Sequence, residues 1–365
     1  MHSREPSPPA EPALVTLAGI RTAAEVIRGV VVRTPLLPFG RPEESDPLGR
    51  TRAWLKPESL QPIGAFKLRG AYYNIATLSA ERRAAGVVAH SSGNHGQGVA
   101  RAARLLGVRA VIVMPSNAPS IKVERVRADG AEIVFVGPSS EERAQRADEL
   151  ARVEGLALVA PYDDAATITG QGTVGLEIVE QLAAIEARVS APGRSWAPAG
   201  ARPEPSPFTV LVPVGGGGIA SGVAVAVKSL RPDAVVLGVE PDLAADARDS
   251  LAQGRIVTWP ADIVGQTIAD GQRTTHLGRI PFALLSRYLD GIVTVAEDEI
   301  ARAMVRASRE ARLVLEPSGA TTLAAWLFHE AELPAAGRVV AILSGGNVDP
   351  ARYDELLARG VAAGG

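Results

Sequence analysis

The chain has 365 residues, 46% of them hydrophobic, no cysteine and a formal net charge of -2. That is enough apolar material for one large or two ordinary domain cores; it excludes a disulfide framework and thiolate-held metals, and it argues against nucleic acid as a partner. No run approaches the roughly 18 apolar residues of a membrane helix, which argues against a membrane.

The start, Met1 to Pro9, is polar and proline-rich with no apolar secretory core, so residues 1–12 read as disordered and the protein as cytoplasmic. Lys67 follows in the run Gln61-Pro-Ile-Gly-Ala-Phe-Lys-Leu-Arg-Gly-Ala71. An ε-amine attacks an aldehyde only when part of it is neutral, and the apolar neighbours Phe66 and Leu68 supply the burial that lowers a lysine's pKa. The small residues Gly64, Ala65, Gly70 and Ala71 let a flat cofactor approach the backbone. Lys67 thus reads as a Schiff-base lysine, against the general background that most lysines are solvated surface charges.

Val87 to His90 predicts a short buried strand, broken by Ser91-Ser-Gly-Asn-His-Gly-Gln-Gly98, with helical periodicity from Val99 to Leu106. Short strands follow at Ala110–Met114, Ala131–Val136 and Leu156–Ala160, between amphipathic helices near Ile121–Ala128 and Glu141–Val153. This alternation predicts an α/β fold built on open, mostly parallel sheet. Residues 190–207 hold five prolines without periodicity and read as an inserted loop. Thr209–Val214 is the next strand, then Gly215, Gly216, Gly217 and Gly218, then a helix over Ile219–Leu230. Both glycine-rich loops join a strand's carboxyl end to a helix's amino end, where backbone N–H groups and the helix dipole favour an anion. Without side chains, the four glycines suit a phosphate, although they also fit a plain tight turn.

The strand Val235–Val239 leads into Glu240-Pro-Asp-Leu-Ala-Ala-Asp246, whose carboxylates either share one hard cation or form a solvated acidic loop. Glu316 precedes a helix start and either shapes the site from below or caps that helix. A last apolar strand, Val339 onward, ends in Ser344-Gly-Gly-Asn347, where Ser344 could reach a ring nitrogen.

Taken together, Phe66-Lys67 with Arg69-Gly70-Ala71, Ser91 to Gln97, Gly215 to Gly218, Glu316-Pro-Ser-Gly-Ala320 and Ser344 to Asn347 resemble, in order and spacing, the fold-type II pyridoxal-phosphate enzymes, in the serine/threonine dehydratase and serine racemase family. The resemblance spans about residues 15 to 355. It implies a tryptophan synthase β-like architecture of two open, mostly parallel twisted sheets with flanking helices. A large cofactor domain would comprise residues 1–85 and 166–365, and a small mobile domain residues 86–165. Lys67 would hold pyridoxal 5'-phosphate and later act as acid and base at the substrate α-carbon. Phe66 would pack on the ring, Asn94 would bond its ring oxygen, Gly215 to Gly218 would take the phosphate and Ser344 would face the pyridine nitrogen. Ser91, Asn94 and His95 would receive the substrate carboxylate, although Asn94 and His95 also suit a turn and a helix start. Ser92 would stand on the ring face opposite Lys67 as a second catalytic base, or simply cap the helix.

In the racemase-like branch, Glu240, the Ala244 carbonyl and Asp246 would hold magnesium or calcium. The expected activity is that of an ammonia-lyase acting on a β-hydroxy amino acid such as L-threonine, L-serine or 3-hydroxyaspartate, in a homodimer or homotetramer. Racemisation through Ser92 is the rival within the class; a non-catalytic phosphate-ligand binding module is the rival outside it. The chain departs from the family at Ile63 and Ala65, where threonine and serine are common. About sixteen residues follow Asp349, which leaves no room for a C-terminal regulatory domain.

Overall fold

In the computed structural model, residues 15–40, 53–91, 93–118, 120–137, 140–189, 207–334 and 338–365 are described. Ser92, residues 1–12 and all but one residue of the 190–207 stretch lie outside them.

Among the described residues, ten strands form two sheets. The larger one combines β1 (Leu37–Phe39), β2 (Ala53–Pro57), β7 (Phe208–Pro213), β8 (Val235–Pro241), β9 (Gly291–Val295) and β10 (Arg338–Leu343) in the order β1-β2-β10-β7-β8-β9. Only β1 runs antiparallel. The smaller sheet takes β3 (Val87–His90), β4 (Ala110–Pro115), β5 (Glu132–Val136) and β6 (Ala157–Leu158), all parallel, in the order β5-β4-β3-β6. It is inserted in the chain between β2 and β7.

Strand burial explains the composition. β7 is buried at every position and β10 at all but its first, the signature of parallel strands covered by helices on both faces. Val210, Val212, Val340 and Ile342 point into one apolar core, and Leu211, Ala341 and Leu343 into another, as the two-residue repeat of a strand requires. Edge strand β5 has no fully buried position: Glu132 and Phe135 are exposed and the other three residues half-buried. Small residues bring helices Ala165–Val189 and Gly218–Leu230 together: a Cβ on Gly222 would lie 2.4 Å from the Ile168 carbonyl oxygen.

Element boundaries shift where side chains override local pattern. The helix expected from Val99 begins at Asn94, because Gly93 takes the flanking extended conformation and the small residues beyond it pack against β3 and β4. The helix after the glycine loop begins at Gly218. β8 runs on through Pro241, which places Glu240 on the strand and not in a loop. β6 is only two residues long, although Val159 N–H still donates to Val88 O at 2.9 Å.

Candidate active site

Lys67 is the first residue of helix Lys67–Thr77, and the segment before it is stitched to the end of β10. Phe66 N–H donates to Ser344 O at 3.1 Å, Gly346 N–H donates to Gly64 O at 2.9 Å, and Ala65 pairs with Gly345 in an antiparallel bridge. Two of the expected site segments therefore form one rigid wall. From it the half-buried Lys67 side chain extends past the Phe66 ring, whose centroid is 5.1 Å from Nζ, and donates to Pro161 O at 2.8 Å. Burial lowers its pKa to about 8, with Glu316 pulling the other way. Among the described residues Lys67 has no salt-bridge partner, so its amine is partly neutral near neutral pH, as nucleophilic attack requires.

Asn94, in the first turn of its helix, lies across from this wall. Its Nδ2 donates to Glu316 Oε1 at 2.6 Å and its Oδ1 accepts from Asn347 Nδ2 at 2.8 Å. Glu316 is the residue before helix Pro317–Phe328, without a side-chain capping bond, and burial, aided by Asp270, raises its pKa to about 8. It therefore shapes the site and does not cap. Ser344 is buried, and its hydroxyl donates to Ser318 O at 3.3 Å.

The glycine loop joins β7 to helix Gly218–Leu230, whose first amides have no acceptor within the helix. Gly217 adopts φ +91°, which only glycine takes without strain. A Cβ on Gly216 would lie 2.3 Å from the Tyr162 ring, so any side chain there would collide. The buried Thr274 Oγ1 has no hydrogen-bond partner and lies 3.5 Å from where a Gly215 Cβ would be. A phosphate fits this chemistry: bare amides, a helix N-terminus and an orphaned hydroxyl. Lys67, the Phe66 face, the Asn94 amide and the Ser344 hydroxyl complete a donor set suited to pyridoxal phosphate.

A cleft of about 380 Å³ shares Pro161 and Tyr162 with these surroundings and is also lined by His90, Asp163 and His276. His95 does not behave as its position suggests. Its ring is 3% exposed, Nε2 donates to Val159 O at 2.8 Å, and Nδ1 has no partner. Burial, reinforced by Lys67, lowers its pKa to about 3, so the ring is neutral and has no side-chain donor left for a carboxylate. Ser91 Oγ accepts from Gly93 N–H at 3.2 Å.

The Glu240–Asp246 pair overturns the reading as a solvated acidic loop, since both residues are completely buried. Glu240 accepts from Ala247 N–H at 3.0 Å and Arg248 N–H at 2.9 Å. Both Asp246 oxygens lack a partner. Burial raises the Asp246 pKa to about 7; burial and the neighbouring Asp246 hold Glu240 well above the usual carboxylate range. Two buried oxygen ligands and an uncompensated charge fit a hard cation, with Ala244 buried in the intervening turn.

Tyr162, Asn347 and Asp270 carry no role in the sequence reading, although the Pro161-Tyr-Asp-Asp run just beyond β6 marks a strand's carboxyl end, where open α/β sheets bind ligands.

Comparison with known proteins shows the family. The model of the family described as "Pyridoxal-phosphate dependent enzyme" matches residues 27–345. The chain belongs to that family. It is 37% identical to an L-threo-3-hydroxyaspartate ammonia-lyase of Saccharomyces cerevisiae, over 94% of this chain and 96% of the relative. It is 38% identical to an L-threonine ammonia-lyase of Thermotoga maritima, over 96% and 80%. The solved structure of maize serine racemase superposes with a TM-score of 0.81 at 35% identity, covering 95% of this chain and 98% of that one. The α/β fold with two parallel sheets is thus that of the fold-type II pyridoxal-phosphate enzymes, and pyridoxal phosphate is the cofactor.

Proposed function

We propose that this member of the pyridoxal-phosphate family is an ammonia-lyase that converts a β-hydroxy amino acid, such as L-threonine, L-serine or 3-hydroxyaspartate, to a 2-oxo acid and ammonia. The observation that carries this is the Lys67 amine, set over the Phe66 ring with the Pro161 carbonyl as its hydrogen-bond partner and held near pKa 8 by burial against the pull of Glu316. When bound, pyridoxal phosphate supplies the electron sink that makes the substrate α-proton removable. Lys67 Nζ takes that proton, and its partly neutral state suits the work at neutral pH. Gly215 to Gly218 hold the phosphate, Phe66 covers the ring and Asn94 faces the ring oxygen. Ser344 would offer the ring nitrogen a neutral hydroxyl and not a carboxylate, a partner that would suit elimination better than transamination. Ser91 and the Asn94–His95 amides receive the carboxylate. The segment 86–165 acts as the mobile small domain against 1–85 and 166–365.

Glu240, the Ala244 carbonyl and Asp246 hold magnesium or calcium in the same reading, and the protein works as a cytoplasmic homodimer or homotetramer. Racemisation is a second reading, favoured by a serine at position 92 and by the likeness to maize serine racemase.

The test is Lys67→Ala with release of 2-oxo acid from each substrate as the assay, beside borohydride trapping of the wild type. The variant should fold and lose activity by several powers of ten; retention of more than about one percent would refute the assignment. Chiral analysis of serine separates the second reading: Ser92→Ala should abolish any D-serine formation and leave elimination largely in place.

A further inference from the structure

Asn94 is reached from the inserted unit's neighbouring helix through a chain of three side chains. Arg125, on helix Ser120–Ala128, donates from Nη1 to Asn347 Oδ1 at 2.6 Å. Asn347 Nδ2 donates to Ile63 O at 2.7 Å and to Asn94 Oδ1 at 2.8 Å, and Asn94 Nδ2 donates to Glu316 at 2.6 Å. Asn347 is seated against Gly64, where a Cβ would lie 2.5 Å from Oδ1.

The direction of each bond is forced by chemistry. A guanidinium only donates and a backbone carbonyl only accepts, so Asn347 must turn its oxygen to Arg125 and its nitrogen to Ile63 and Asn94. Asn94 then has to meet Asn347 with its oxygen, which leaves its nitrogen to donate, one hydrogen to Glu316 and the second to the site. Glu316 alone does not fix this orientation, because a carboxyl raised to about 8 by burial and Asp270 donates as readily as it accepts.

We propose that Arg125 is a positioning residue that orders the amides of Asn347 and Asn94, so that Asn94 presents an N–H, and not a carbonyl oxygen, to the cofactor's ring oxygen. This rests on the reading of Asn94 as the partner of that oxygen. A phenolate oxygen needs a donor; an amide flipped the other way meets it with a lone pair. Arg125 touches neither substrate nor cofactor and acts through two other side chains.

The experiment measures pyridoxal-phosphate affinity by visible absorbance on dilution of the holoenzyme, together with borohydride trapping. Arg125→Leu should weaken affinity about tenfold, the worth of one charge-assisted hydrogen bond, and Arg125→Lys, which keeps a donor, should recover to within about threefold of wild type. Asn347→Asp decides between polarity and simple attraction: the carboxylate pairs more strongly with Arg125 but cannot donate to Asn94, so affinity should again fall. Lys122→Ala breaks the ion pair of the same helix, to Asp270 at 3.0 Å, without removing a hydrogen bond of the relay, and should stay within about twofold. The proposal is overturned if Arg125→Leu or Asn347→Asp binds cofactor as tightly as wild type, or if Lys122→Ala weakens binding as much as Arg125→Leu does. If wild type traps no cofactor at Lys67, the reading of the whole site falls, and the relay with it.

Discussion

Two buried clusters of charge flank this site and differ in a single respect. Behind Lys67, Arg69 and Lys56 face Glu58 and Glu177. Arg69 reaches Glu58 at 2.7 and 2.9 Å and Glu177 at 2.7 and 3.1 Å, while Lys56 spends its three hydrogens on Glu177, Gln181 and Thr34 O. Burial works against ionising Glu58, yet Arg69 and its hydrogen bonds outweigh it and hold the carboxyl below its ordinary value. Two cations meet two anions with nearly every polar atom engaged. Glu240, near the end of β8, and Asp246, at the start of the next helix, are as deeply buried and have no salt-bridge partner among the described residues. A balanced cluster is architecture: it locks the first turn of the helix that carries Lys67. An unbalanced one is a candidate cation site, because a buried carboxylate without a partner costs several kcal/mol unless it is protonated or bound to a metal.

The sharpest way to break this contrast is Arg69→Met, which strands Glu58 and leaves Glu177 with Lys56 alone. It should cost about 3–5 kcal/mol or prevent folding, read as a large drop in the urea midpoint. An unchanged midpoint would mean that the cluster is not a structural lock.

Next in size is the cation response. Added magnesium or calcium should raise the melting temperature and chelator should lower it, by roughly 3 kcal/mol at a hundred times the dissociation constant. The pH sign is fixed by Asp246. Its folded pKa is raised to about 7, so its contribution to stability is full below its unfolded value and is lost as pH rises through about 7. The chelated protein should therefore lose stability over that window, and the metal's benefit should be larger at about pH 8 than at about pH 5. A cation response that is flat with pH would contradict this.

Asp246→Asn should invert the usual effect of a mutation in a buried site. At about pH 8 in chelator it should stabilise the protein by about 1–2 kcal/mol, since it removes an unpaired buried charge, and it should abolish the metal response. Destabilisation in chelator would place Asp246 in the first class of cluster. The smallest effect belongs to Lys122→Ala, a partly exposed pair with Asp270, which should change stability by less than about 1 kcal/mol.

The sequence by itself determined what is local. Alternating apolar strands and amphipathic helices specify an α/β fold because the helices must bury one face and the strands both. Four consecutive glycines after a buried strand suit an anion as well as a tight turn, because amides and helix dipole converge there. Lys67 is legible because its apolar and small neighbours adjoin it in the chain. Tertiary structure alone decided what depends on residues far apart. Asn94 meets Glu316 across 222 positions and Asn347 across 253, so no spacing rule could give its orientation. His95 looks like a loop donor in sequence, but the helix begins one residue before it and turns its ring into the core, where loss of water neutralises it. Glu240 and Asp246 read in sequence as solvated charges or as ligands of a hard cation, and their burial, which only the packing around β8 decides, removes the first of these.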